Sequence, residues 1–418
     1  MRREGVPILL DQASDRLPEP DLADVAWAGG VVIRRRQRRS TVAGIVVVLV
    51  IAVVVAVLIA LGGSGRSGIA PPTTAPTHPP GYLPPTGQIA GIDFWTAPPA
   101  GSERFLDRMD TPLGDLLRTP EDPDELRDNP VDQVAAVVLA ELNGSYTPLL
   151  LAPNTDWVRA NLRLRPIATG QPLSSGSIAP NGRLVAFPQP GGVVVIDAST
   201  DSTKEIPVPA ADLRSVSWLP NSRNLLVSGP GSAYRVEVDL QSRENPEVVA
   251  VAASNNAEAA TAPYRLDGPQ GRVVMMQYTR SDGWYPVGSP RLPVDSWVGQ
   301  TFAVGNMAAR LFVATQLPQV PTAASRPQVV AAISPQQTSP GRLLVLGETP
   351  AATPTPGRTT PDEVREPGCC FVLGWYDDRT VLLQVKDWVL GWDLGTGRVR
   401  RVTELEVGAV ALGPGLRG

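Results

Sequence analysis

The chain has 418 residues, 43% hydrophobic and 19% charged, with a formal net charge of −4. Those proportions exclude a wholly disordered chain, and the slightly acidic balance argues against nucleic acid as a partner. A single histidine and two cysteines leave little material for imidazole catalysis, a zinc centre or a disulfide framework.

Residues 1–41 form a basic tail in which Arg34, Arg35, Arg36, Arg38 and Arg39 crowd the edge of an apolar run, "TVAGIVVVLVIAVVVAVLIALGG". The twenty residues from Val42 onward make a helix of about 30 Å, the thickness of a bilayer's hydrocarbon core, so residues 42–62 are predicted to span a membrane. The arginines set the orientation, with the amino terminus in the cytoplasm and the rest of the chain extracytoplasmic. A cleaved secretory signal fits less well, because the apolar run and the tail before it are long and no small-x-small cleavage site follows. The lipid bilayer is therefore one expected partner. Within the tail, "LPEPDLADVAWAGGVVI" suits a short helix capped by Asp21 with Leu22, Val25, Ala26 and Ile33 roughly aligned. It reads as a topology signal or, in a sharper form, as a docking segment for a cytoplasmic protein.

Residues 63–87 are rich in proline, threonine and glycine and bury nothing, so they are predicted to form an extended linker. The only histidine, His78, lies there, without the rigid frame that a metal ligand or general base requires. Residues 88–133, with "DRMDTPLGDLLRTPEDPDELRDNPVD", are expected to be an irregular acidic lead-in containing at most a short helix. Its carboxylates lack the spacing that wraps calcium.

From residue 134 to 418 the chain repeats. "SGSIAPNGRLVAF" places Pro180, Asn181, Gly182 and Arg183 before an apolar strand, and "VSWLPNSRNLLVSG" does the same with Pro220, Asn221, Ser222 and Arg223, an offset of about 40 residues. "LGWYDDRTVLLQV" aligns Trp375 with Trp218 at close to four such periods. Weaker copies surround Gly271 and Asn306. A second landmark follows each clear copy, a strand ending in Asp197, Asp239 or Asp393 and then a turn. Asn181, Asn221, Asp197, Asp239, Asp377, Asp378 and Asp393 are thus read as structural turn residues that bond their own backbone.

Four short strands per repeat of this length predict an all-β fold, a β-propeller, and the length from Val134 suits six or seven blades. "GAVALGPG" near Val410 could complete a blade begun by "VAAVVLAEL" and "TPLLLAP". The two clear repeats, with "VLGWDLGTGRVRRV", resemble TolB-like and WD-repeat-like propellers, and the whole layout resembles membrane-anchored propellers of actinobacteria. That resemblance implies a single-pass protein with an outward propeller, in some cases encoded beside sigma-factor genes. The chain departs from it at Asn181 and Asn221, where the TolB pattern has Asp.

A histidine relay or a zinc site cannot be built outside the linker, so no enzyme, cofactor or metal is expected. Asp377, Asp378, Asp387 and Asp393 are the nearest candidates for a carboxylate-dependent hydrolase or lyase, although their turn positions favour structure. The adjacent Cys369 and Cys370 form a possible redox pair; two thiols are expected, with a vicinal disulfide as the alternative. Propeller loops such as the insertion from Gly347 to Gly368 would carry specificity. The reading favoured is a non-catalytic module that binds an unknown protein, peptide or cell-envelope ligand. A signalling role, coupling outside binding to a cytoplasmic partner such as a sigma factor, is the alternative.

Overall fold

In the strand Met307–Ala314, Ala308 and Phe312 join one apolar cluster while Ala309 and Leu311 join another. In Gly192–Asp197, Val193 and Val195 face one neighbour, and Val194 and Ile196 the other. Alternate side chains leave opposite faces of a strand, so a sheet packed on both sides needs apolar residues at every position. Runs such as "VVVID" are unbroken for this reason.

The computed structural model describes residues 78–417 apart from 243–245, 252–263, 268–273, 279–283, 289–291, 316, 318–326, 335–340 and 347–368. Among the described residues no helix is long and apolar enough to cross a membrane. The predicted tail and span, their arginines, most of the predicted linker, Gly271 and the insertion from Gly347 to Gly368 lie outside those residues.

Six sheets are described, and five of them are blades around a common centre. Blade 1 holds Ala136–Leu142, Ser145–Leu151 and Trp157–Arg159. Blade 2 holds Leu184–Gln189, Gly192–Asp197 and Ser202–Pro207, with Ile178 bridged to Val185 at its inner edge. Blade 3 runs through Ser215–Trp218, Asn224–Gly229, Ser232–Glu237 and Val248–Val251. Blade 4 comprises Val294–Val304, Met307–Ala314, Gln328–Ile333 and Gly341–Val345. Blade 5 comprises Cys370–Trp375, Thr380–Val385, Trp388–Asp393 and Val399–Leu405.

The carboxy-terminal strand Val410–Leu412 pairs antiparallel with Ala136–Val138 and becomes the innermost strand of blade 1. The ring is closed by uniting the two ends of the propeller sequence in one sheet. Apolar clusters fill the joints between blades: Phe187 with Leu150, Trp218 with Val195, Leu344 with Trp392, and Val138 with Leu382.

The blade number corrects the sequence expectation of six or seven. Gln300 Nε2 in blade 4 donates to the Val216 carbonyl in blade 3 at 3.2 Å, so the innermost strands of these two blades adjoin. The sixth sheet, Tyr264–Asp267, Val274–Tyr278 and Trp284–Gly288, attaches to blade 4 instead. The Leu266 amide donates to Thr301 Oγ1 at 3.2 Å, its carbonyl accepts from Arg310 at 2.8 Å, and its buried side chain joins Phe94 and Phe312. Only two blade steps separate Trp218 from Trp375. The four periods counted there were filled by this extra sheet and by insertions.

The segment expected to be an irregular lead-in is part of the propeller. Ile92–Thr96 lies parallel to Gly341–Val345, Leu116–Leu117 parallel to Glu404–Leu405, and Asp124–Glu125 parallel to Val158–Arg159. It therefore supplies the outer edge of blades 4, 5 and 1 in turn. Its few apolar residues are its anchors: Trp95 enters the joint between blades 4 and 5, Met109 and Leu117 that between 5 and 1, and Leu126 and Val131 that between 1 and 2. A single short 3-10 turn, Glu103–Phe105, interrupts it. Glu125 accepts from Arg159 Nε at 3.1 Å, and this hydrogen bond and the carboxylate's charge hold the Arg159 guanidinium still further above its ordinary range. The docking extends into the predicted linker, where the Leu83 amide donates to Thr396 at 2.8 Å.

Candidate functional site

The turns that define the repeat have one mechanism. Asn181 Oδ1 accepts from the amides of Arg183 and Leu184 at 3.0 and 3.4 Å, Asn221 Oδ1 from Arg223 and Asn224 at 3.1 and 3.0 Å, and Asp377 Oδ1 from Arg379 and Thr380 at 2.9 and 2.6 Å. Each side chain thereby satisfies amides that a tight turn leaves without strand partners. The third turn residue has positive φ, 74° at Gly182 and 52° at Ser222. Asp197, Asp239 and Asp393 act alike at the other landmark, accepting from the amides of Ser199, Gln241 and Gly395 at 2.9, 2.9 and 2.8 Å. Asp378, beside Asp377, is exposed.

The Asn181 and Asn221 turns begin, at Pro180 and Pro220, on the lining of a cavity at the centre of the ring. Gly176 bridges Ser217 in parallel, so neighbouring innermost strands run the same way about the axis and deliver their ends to one face. Pro180, Pro220, Gly305 and Pro414 stand at that face, while Ile178, Trp218, Phe302 and Leu373 line the walls. The cavity has a volume of about 410 Å³, within the size range of small-molecule sites. Every blade contributes. Glycines at 176, 305, 374 and 413 keep the centre open, and Gly413 has no alternative: a Cβ there would stand 2.3 Å from the Val134 carbonyl oxygen.

The two tryptophans on the wall are held by their indole nitrogens. Trp218 Nε1 donates to the Ser177 carbonyl at 2.8 Å and Trp375 Nε1 to the Phe302 carbonyl at 2.9 Å, so each ring also ties its blade to the preceding innermost strand. Among the described residues Arg417, in the 3-10 turn Pro414–Arg417, is the one charged residue lining the cavity, and its Nε donates to the Tyr376 carbonyl. The adjacent Leu416 is buried and seats this turn between blades 5 and 1. No sequence motif marks Phe302, Leu416 or Arg417. The signal available was the closing segment "GAVALGPGLRG", read there only for its strand.

The four carboxylates considered for catalysis do not converge. Thr380 pairs with Asp393 and Val385 with Trp388, which puts Asp393 and the Asp377 turn at one end of blade 5 and Asp387 at the other, about 20 Å away along six residues. Among the described residues no group of three or more His, Cys, Asp or Glu is placed to hold a metal. His78 stacks on Tyr82 with ring centroids 3.9 Å apart, outside the cavity.

Cys369 and Cys370 are joined to each other in a vicinal disulfide, which corrects the expectation of two thiols. That expectation placed both in one strand with side chains on opposite faces. The strand begins only at Cys370, so the pleat does not govern Cys369. Cys370 is fully buried between blades 4 and 5, and Gln328 Nε2 lies 3.5 Å from Cys369 Sγ.

No family model and no curated protein matches the sequence. Solved structures with a similar fold include TolB from Acinetobacter baumannii, at 16% identity and a TM-score of 0.37, covering 66% of this chain and 65% of that one. The chain thus spans less than two thirds of that TolB. The β-propeller domain of Myceliophteria thermophila Cps50 (Swd1) is similar at 11% identity and a TM-score of 0.30, covering 65% of this chain and 97% of that one. Dihydro-heme d1 dehydrogenase NirN is similar at 14% identity and a TM-score of 0.35, covering 73% of this chain and 80% of that one. The likeness is one of fold alone, and the propeller itself is read from the chain's own five blades.

Proposed function

We propose that the chain is a non-catalytic binding module, a propeller held outside the cytoplasm by a single membrane helix, whose ligand enters the central cavity. The observation that carries this reading is the cavity's chemistry. Apart from Ser175 and Arg417 its lining is apolar or backbone, its indole nitrogens are already bonded, and among the described residues no carboxylate or imidazole lines it. Such a surface holds a ligand and offers no proton acceptor. Membrane attachment and orientation rest on the apolar run after the arginines at 34–39.

Protease treatment of intact cells carrying a tag at each end tests the topology: the carboxy-terminal tag should be digested and the amino-terminal tag retained on a membrane-bound stub. Protection of the carboxy-terminal tag would place the propeller inside. Ligand-observed NMR with a set of aromatic fragments tests the cavity. Fragments should bind the wild-type chain and be lost from Val304→Trp, which enlarges a residue lining the cavity; binding indifferent to that change would refute the assignment.

A further inference from the structure

The charge at the cavity says more about the ligand than its walls do. Arg417 anchors its Nε–H on the Tyr376 carbonyl, which leaves four of a guanidinium's five N–H donors. Among the described residues no carboxylate pairs with it. The arginines of the Asn181 and Asn221 turns, by contrast, are occupied, Arg183 by Asp197 at 3.0 Å and Arg223 by Glu237 at 3.3 Å. Nearby, Asp377 Oδ1 is already taken by two backbone amides. The cavity thus combines an apolar interior with one anchored cation.

We propose, resting on the binding reading above, that the ligand is a small amphipathic carboxylic acid, its apolar body among Ile178, Trp218, Phe302 and Leu373 and its carboxylate outside on the Arg417 guanidinium. A planar guanidinium matches a carboxylate through two parallel hydrogen bonds. An ammonium in the same place would meet a like charge, and one driven inward would lose its water with nothing to replace it. A neutral molecule gains the walls and leaves the guanidinium unused.

The test uses the full chain in detergent and three water-soluble probes of one shape, 4-ethylbenzoate, 4-ethylbenzamide and 4-ethylbenzylammonium, titrated by calorimetry against a detergent blank. The benzoate is expected to bind about fivefold more tightly than the benzamide, the step that one exposed ion pair can supply, and the ammonium least. Arg417→Gln should bring benzoate and benzamide together, while Arg417→Lys restores part of the gap. Equal binding of benzoate and benzamide to the wild-type chain overturns the carboxylate assignment and leaves the cavity reading standing. Failure of all three probes, or binding that Val304→Trp does not change, overturns the cavity reading itself.

Discussion

Blades 2 and 3 are each cut from one continuous stretch of chain, whereas blades 1, 4 and 5 are assembled from stretches far apart in sequence. Blade 1 joins Asp124–Glu125, Ala136–Arg159 and Val410–Leu412 in a single sheet, and blades 4 and 5 take their outer strands from the segment before residue 118. The contiguous blades repeat the same turn at the same spacing, since nothing intervenes between their strands. The composite blades have lost that spacing, and what they gain is closure: they lock the ring at its inner edge through Val410–Leu412 and at its outer edge through the lead-in.

The largest effect should come from removing the inner lock. Deleting residues 407–418 strips Ala136–Val138 of its inner strand partner, leaving only Leu149–Leu151 on the other side, and uncovers the joint between blades 5 and 1. Loss of the cooperative unfolding transition, followed by near-ultraviolet circular dichroism, is the expected result. A variant that still melted sharply near the wild-type temperature would show that the composite blade is not needed for closure.

Next in size are the joints themselves. Trp392 fills the joint between blades 4 and 5 and Trp218 that between blades 2 and 3, and both are buried. Trp392→Ala and Trp218→Ala should each cost about 3–5 kcal/mol in denaturant unfolding. The comparison sharpens if the two costs differ, because a joint between composite blades would then be supported by its outer strand as well as by its core.

Smaller still are the turns. Asn181→Ala, Asn221→Ala and Asp393→Ala each leave two amides without their side-chain acceptor, and each should cost about 1 kcal/mol. Equal losses in contiguous blades 2 and 3 and in composite blade 5 would show that the turn works locally, whatever segments complete the sheet.

The smallest effect concerns Asp201, at the turn before the outer strand of blade 2. Burial raises its carboxyl above the ordinary range, the nearby Glu125 carboxylate of the lead-in adds to this, and Arg127 opposes it. The folded protein therefore holds this proton more tightly than the unfolded chain, so its contribution to stability falls as pH rises from the ordinary carboxylate value through the raised one. Asp201→Asn should melt slightly above wild type at neutral pH, by a few tenths of a kcal/mol, with the gain shrinking as both are taken toward about pH 3. Asn also tolerates the positive φ of 55° at this position. A gain that grows on acidification would contradict the assignment.

What was legible in the sequence follows the same division. The strands of blades 2 and 3, the Asn181 and Asn221 turns and the aspartates ending the strands all act through residues two or three positions away, so short motifs carry them. Blade number was not legible, because the sheet at Tyr264–Gly288 has strand-like sequence yet stacks beside blade 4 through Leu266. The lead-in was misread because its strands are two to five residues long and are held by partners such as Glu404 and Val158, far along the chain. The cavity was invisible for a related reason: Ile178, Trp218, Phe302, Leu373 and Arg417 follow no common spacing and meet only when the ring is closed.

The most direct test of this account is a covalent lock across the closing sheet. The Gly413 amide donates to Ala135, and bonded pairs alternate along an antiparallel ladder, so Val410 and Val138 form a non-hydrogen-bonded pair with side chains close enough for a disulfide. Val138→Cys and Val410→Cys, placed together in a background carrying Cys369→Ala and Cys370→Ala, should oxidise with loss of both free thiols and melt above the reduced form. Thiols that stay free under the same oxidation in the folded protein would contradict the closed ring and every feature that depends on it.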